Sequence, residues 1–208
     1  MNSTESLKSE LKKAANLSDL IERNISIAAI IAEALRSVNQ DPILVGGVAV
    51  EYYTQGGYST ADIDLVSEGG RDLVQVMESL GFEKIGKDFI QKTLKIYVEF
   101  PSRHLKSSEL SSKIQIGKKI LRIISLEDLL IDRLCAFKFW QSAVDGLNSL
   151  LLLEHSELDL DRLELRAKEE KVLDALSALK ELREEIIRKK IPPKQASQIL
   201  EKEMKKLK

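Results

Sequence analysis

One stretch constrains this chain more than any other: Val45-Gly46-Gly47-Val48-Ala49-Val50-Glu51-Tyr52-Tyr53, then Gln55-Gly56-Gly57-Tyr58-Ser59-Thr60-Ala61 leading into Asp62-Ile63-Asp64-Leu65-Val66. Ile43-Leu44-Val45 is a short apolar run bounded by Pro42 and Gly46, and reads as a buried strand. Gly46-Gly47 makes a tight turn, and a helix from Val48 to Tyr53 is expected to begin on the second glycine. Gln55 to Thr60 reads as a loop, and Asp62 to Val66 as a second strand closed by Glu68-Gly69-Gly70. A strand, turn, helix and strand in this order call for a mixed α/β core.

The same stretch carries three devices with chemical meaning. A strand running through glycines into a helix brings backbone N–H groups and the positive helix end close to a ligand, which suits phosphate, although Gly-Gly after a strand also serves as a plain turn. On a strand, Asp62 and Asp64 project from one face while Ile63 and Leu65 face the core. Their like charges repel unless a cation lies between them, and all-oxygen donors suit Mg²⁺ or Mn²⁺ better than zinc. A polar strand face with two solvated aspartates is the competing reading. In Ile96-Tyr97-Val98-Glu99-Phe100, Tyr97 and Glu99 share one face and Val98 and Phe100 the other. If this strand lies beside the Asp62 strand, Glu99 completes a three-carboxylate set able to hold divalent ions; otherwise it is an edge glutamate facing water.

The remaining chain frames this core. A polar helix is expected over residues 3–15, and a second from Leu17 to about Val38, where Leu20, Ile21, Ile25, Ala28, Ile31 and Leu35 recur at helical spacing. Arg71 to Leu80 reads as a helix closed by Gly81. Phe82 to Ile85 and Phe89 to Gln91 suit a hairpin across Gly86, and Ile114 to Ile116 and Ile120 to Ile124 suit two strands around Gly117-Lys118-Lys119. Residues 102–112 form a Ser-rich polar loop. After Ser125-Leu126-Glu127-Asp128, a helix-start signature, the pattern is helical to Lys208 with a break at Pro192-Pro193. The expected organisation is an α/β (α+β) fold: a small mixed-sheet core with N-terminal helices over residues 1–124, then a helical part over 125–208.

Composition narrows the classes. A net charge of -1 means that any polyanion is held by a local patch, and 5% aromatic residues argue against a broad base-stacking platform. The single cysteine, Cys135, rules out an internal disulfide framework and reads as a buried, inert thiol. The N-terminus is unlike a secretory signal, and the apolar run Ile25 to Ala32 is too short to span a bilayer, so a cytoplasmic location is expected.

Gly-Gly, a helix, Asp-x-Asp on a strand and an acid on a later strand resemble the nucleotidyltransferase superfamily with the polymerase-β-type fold. Gly46 to Val50 with Tyr58 to Asp64 resembles, more closely, small prokaryotic nucleotidyltransferases related to the toxin half of abortive-infection toxin–antitoxin systems. The run Ile124 to Leu134, followed by Trp140 and Asp145, resembles their helical half. Tyr58 stands where many such relatives carry Arg, and Arg133 where they often carry Lys. The resemblance implies transfer of a nucleoside monophosphate from an NTP to an acceptor hydroxyl on RNA, protein or a small molecule, with release of pyrophosphate. In that scheme Asp62 and Asp64 bind the metals, Mg²⁺ or Mn²⁺, and Glu99 ligates the catalytic one and assists deprotonation of the acceptor. Gly46 and Gly47 hold the β,γ-phosphates, and Thr60 either supports the carboxylate strand through a hydroxyl hydrogen bond or only caps the turn. An antitoxin protein would be a partner if the toxin likeness extends to function. A non-catalytic nucleotide-binding module of the same fold is the alternative.

Other residues have weaker claims. Arg133 can reach a triphosphate with a guanidinium suited to phosphate oxygens, or can be a helix-surface charge. Lys138 has the same two readings. Trp140 could stack a base, yet a lone tryptophan is more often core. Asp145 could hydrogen-bond the nucleotide, and a charge at a helix N-terminus is the plainer account. His104 falls in the polar loop, and His155 beside Glu154 reads as a helix-end residue rather than a metal ligand.

Overall fold

The structure is a computed structural model and describes residues 4–207; the expected helix start at residue 3 and helix end at Lys208 lie outside the described residues. The chain divides into two compact units, Met1–Ser125 and Leu126–Lys208.

The first unit opens with two helices, α1 (Thr4–Ala15) and α2 (Leu20–Arg36). Asp19 caps α2, its carboxylate accepting from the backbone N–H of Glu22, which places the helix start three residues later than the apolar spacing alone suggests. Ile27, Ala28, Ile31, Ala32 and Leu35 of α2 are fully buried, because the helix is apolar around most of its circumference and packs on the sheet. The strands β1 (Ile43–Val45), β2 (Asp62–Val66), β3 (Glu83–Ile85), β4 (Asp88–Gln91), β5 (Ile96–Glu99), β6 (Ser111–Ile116) and β7 (Lys119–Ile124) form one mixed sheet in the order β3-β4-β5-β2-β1-β7-β6. Two short helices, α3 (Gly46–Tyr53) and α4 (Gly70–Ser79), complete the unit.

The sheet is parallel at β1/β7 and β2/β5 and antiparallel at its other four pairings. β1 and β2, separated by α3 and its loop, lie side by side in the middle of the sheet, with Val45 opposite Asp64. Burial alternates along β2 and β5 as expected: Ile63, Leu65, Ile96 and Val98 are buried, while Asp62 and Tyr97 are exposed. The expected hairpin across Gly86 forms as β3/β4, and Gly86 takes a positive φ of 63° at its turn. β6 begins at Ser111, inside the stretch expected to be loop, since pairing with β7 supplies ladder partners for its polar residues.

The second unit is helical: α5 (Leu126–Phe139), α6 (Ala143–Leu152), α7 (Leu160–Glu169), α8 (Leu173–Lys189) and α9 (Pro193–Lys206). α5 and α6 cross closely because Gly146 has no side chain; a Cβ there would stand 2.5 Å from Phe137 Cδ2. Asp128, expected at the helix-start signature of α5, has its carboxylate fully buried and ion-paired to Arg162 and to Arg166, whose Nε lies 3.0 Å from Oδ1. Arg166 also reaches Glu169 at 2.5 Å and Glu170 at 3.3 Å. Its pKa is raised: burial works against the charge, and these three carboxylates overcome it. Cys135, expected to be buried, is half-buried. Among the described residues no helix is long and apolar enough to cross a membrane.

A buried guanidinium that loses its innermost partner retains the desolvation penalty without the attraction. Asp128→Ala is therefore expected to destabilise the chain by about 3 kcal/mol in urea denaturation.

Candidate functional site

The site is built where β1 ends, α3 begins and β2 and β5 run side by side. Gly46 has a left-handed φ of +67°, which turns the chain from β1 directly into the helix, so α3 starts at the first glycine rather than the second. A Cβ on Gly46 would overlap Asp64 Oδ2, and a Cβ on Gly47 would stand 2.8 Å from Thr60 Cγ2. The two glycines are thus required by close packing from the β2 side: one receives the Asp64 carboxylate and the other the Thr60 side chain. The N-cap position, Val45, offers no side-chain acceptor to the first N–H groups of α3. That helix end, with its partial positive charge, lies against a carboxylate.

β2 and β5 are parallel with Asp62 opposite Tyr97 and Asp64 opposite Glu99. Register partners on neighbouring strands project from the same face, so Asp64 and Glu99 are direct neighbours and Asp62 shares their face two residues earlier. Glu99 forms an ion pair with Lys87, Nζ to Oε1 at 2.5 Å. Lys87 follows Gly86 in the β3/β4 turn and precedes Asp88, which is itself opposite Glu99 across β4/β5. The Lys87 pKa is raised, first by its hydrogen bond and charge contact with Glu99, with smaller contributions from Asp88 and Asp64. An ammonium group thus already balances part of the acidic face. Among the described residues no group of three His, Cys, Asp or Glu side chains is arranged to hold a metal ion as it stands. The donors are all carboxylate oxygens of the type that suits Mg²⁺ or Mn²⁺, and two of the three lie in direct register.

Lys87 was not legible in the sequence, since its place depends on the pairing of β4 with β5. Two further polar residues were also missed. Glu51, on α3, is 2% exposed, and Asn24, on α2, is 1% exposed. Asn24 Nδ2 donates to Glu51 Oε2 at 3.4 Å and to the Thr60 carbonyl at 3.2 Å. The available signal was a charged residue inside the otherwise apolar Val48-Ala49-Val50-Glu51 turn and an amide beside Ile25. Burial pushes the Glu51 carboxyl above its usual range, opposed by hydrogen bonds from Asn24 and Ser59.

Arg133 lies on α5 in the helical unit, ion-paired to Asp132 and to Asp145 at 2.9 Å. Asp145 stands in the first turn of α6, which Ser142 caps. Lys138 donates to Asp174 and to the Lys171 carbonyl. Trp140 is 81% exposed, contrary to the expectation of a core residue, because α5 ends at Phe139 and the indole follows in the turn to α6. His104 is exposed, and half-buried His155 follows α6, its Nδ1 accepting from the Glu157 N–H at 3.3 Å.

Two outcomes are expected from this geometry. Gly46→Ala combines a left-handed backbone with an overlap on Asp64, so it should cost at least about 1–2 kcal/mol in urea denaturation. A carboxyl with a raised folded-state pKa contributes most while protonated and loses that contribution as pH rises through the carboxylate range. Glu51→Gln cannot ionise, so its melting temperature should rise relative to the natural chain between about pH 4 and about pH 7.

No family model and no curated protein matches the chain. Among solved structures it is similar to an antigenic nucleotidyltransferase-like protein from Paracoccidioides brasiliensis, at 17% identity and a TM-score of 0.54, over 78% of this chain and 93% of that one. It also matches the antibiotic-resistance factor ANT(2'')-Ia, at 19% identity and a TM-score of 0.48, over 71% of this chain and 91% of that one. The chain therefore has the mixed α/β fold of a nucleotidyltransferase-like protein, with a helical C-terminal part.

Proposed function

We propose that the chain is a divalent-cation-dependent nucleotidyltransferase that moves a nucleoside monophosphate from an NTP to an acceptor hydroxyl and releases pyrophosphate. The observation that supports this most is the Asp64 carboxylate seated on Gly46 at the start of α3, with Glu99 in register beside it. Asp62, Asp64 and Glu99 are the residues that would hold Mg²⁺ or Mn²⁺. When bound, the cation would neutralise phosphate charge and polarise the reacting phosphoryl group. The N–H groups at the Gly46-Gly47 end of α3, uncapped by any side chain at Val45, would receive the β,γ-phosphate oxygens. Thr60 acts here by packing on Gly47, which keeps the approach to β2 close to the helix start. Glu99 would accept the proton of the acceptor hydroxyl, and for that it must part from Lys87.

RNA, a protein and a small molecule are all acceptable acceptors in this reading. Incubation with α-labelled NTP and each class separately distinguishes them. A toxin role would appear as growth arrest on expression, relieved by a neighbouring antitoxin.

The Lys87–Glu99 ion pair favours one alternative, a nucleotide-binding module without turnover. Calorimetric titration of NTP with and without Mg²⁺ separates the two when paired with a transfer assay. In the proposed enzyme, pyrophosphate release depends on Mg²⁺ and falls at least about 10²-fold in the Asp62→Ala, Asp64→Ala double variant. Full activity in that variant would rule the proposal out.

A further inference from the structure

We infer that Glu51 is a positioning residue for the candidate site, acting through Asn24 on the segment from Ser59 to Asp62; the nucleotidyltransferase reading enters only in what the segment positions. Chain stiffness does not place this segment. It follows Gln55, Gly56 and Gly57, which are exposed, and Gln55 and Gly56 have φ values of 50° and 91°. Glycines give such a loop many conformations of similar energy, so tertiary hydrogen bonds must select one.

Those bonds come from buried groups. The Glu51 carbonyl accepts from the Gly56 N–H at 3.0 Å, fixing the loop's beginning. At its end, Asn24 Nδ2 donates to the Thr60 carbonyl and to the Glu51 carboxylate, using both amide protons. Arg23 completes the amide, its Nη1 donating to Asn24 Oδ1 at 2.9 Å. Arg23 Nη2 donates to the carbonyl of Lys95 at 3.2 Å, just before β5. One network therefore ties α2 and α3 to the approaches of both carboxylate strands, and Glu51 is its buried carboxylate acceptor. Thr60, held in this way, packs on Gly47, and Asp62 begins β2 two residues later. The Glu51 carboxylate accepts from Asn24 and Ser59, and through these bonds it acts on the loop that leads into β2.

Backbone amide exchange of the full chain, together with steady-state pyrophosphate release, tests the inference. Glu51→Ala and Asn24→Ala should each raise exchange at residues 57–62 by about 10-fold or more while β1 and β7 stay protected. Glu51→Gln should return close to the natural chain, because an amide oxygen still accepts from Asn24. In an active enzyme, the two alanine variants should lower kcat by about 10²-fold with a smaller change in the KM for NTP. Should Glu51→Ala fail to fold, Asn24→Ala and Glu51→Gln decide the matter. Unchanged exchange at 57–62 in the alanine variants overturns the inference. So does Glu51→Gln exchanging as fast as Glu51→Ala, or a local loosening that leaves kcat of an active enzyme untouched. If the natural chain releases no pyrophosphate, the transfer reading fails, and the exchange pattern still decides whether Glu51 positions the segment.

Discussion

The contact of the Asp64 carboxylate with the bare Cα of Gly46 is the constraint on which the site depends. It requires a residue without a side chain at the end of β1, and the left-handed φ there sends the chain at once into α3. It also sets how closely β2 approaches β1, because Val45 and Asp64 are direct register partners. The packing that makes the strand pair compact is thus the packing that brings an acid to the positive end of a helix. Substituents larger than hydrogen at position 46 would separate these elements.

An acidic face of this kind is electrostatically unfavourable alone. Asp64 and Glu99 stand side by side, with Asp62 on the same face, and the fold answers with Lys87 from the neighbouring hairpin. The ammonium lies on an exposed turn, so solvent screens its contribution, and its displacement by another cation costs little compared with a buried pair. The helical unit shows the opposite arrangement. There Asp128 and Arg166 are closed away from water, Arg162 is half-buried beside them, and Arg166 pairs with three carboxylates. Burial with full pairing makes for a fixed scaffold, whereas an exposed lysine on a partly open acidic face leaves room for exchange.

Much of this molecule is legible in its sequence. β1, β2 and the β3/β4 hairpin stand where short apolar runs and turn glycines placed them, because alternation and punctuation are local properties. The face shared by Asp62 and Asp64 follows from the two-residue repeat of any strand. The structure departs from the local pattern where a neighbouring element decides. α3 gained its first turn from the positive φ of Gly46. β6 reached back to Ser111 because β7 paired with it. Trp140 is exposed because the helix stops one residue earlier, and Lys87, Asn24 and Glu51 gained meaning only through partners far away in the chain.

Local pattern is enough for most of the elements, for the glycines at the turn and for the face on which Asp62 and Asp64 stand, since each depends on backbone geometry within a few residues. Only packing across the whole unit makes β5 lie parallel to β2 with Glu99 opposite Asp64, sets Lys87 against that pair, and brings Glu51 and Asn24 to the loop before β2. The reason is that strand order and register come from burying apolar faces jointly against α2 and its neighbours. That is a sum over the whole core, and no window of sequence contains it.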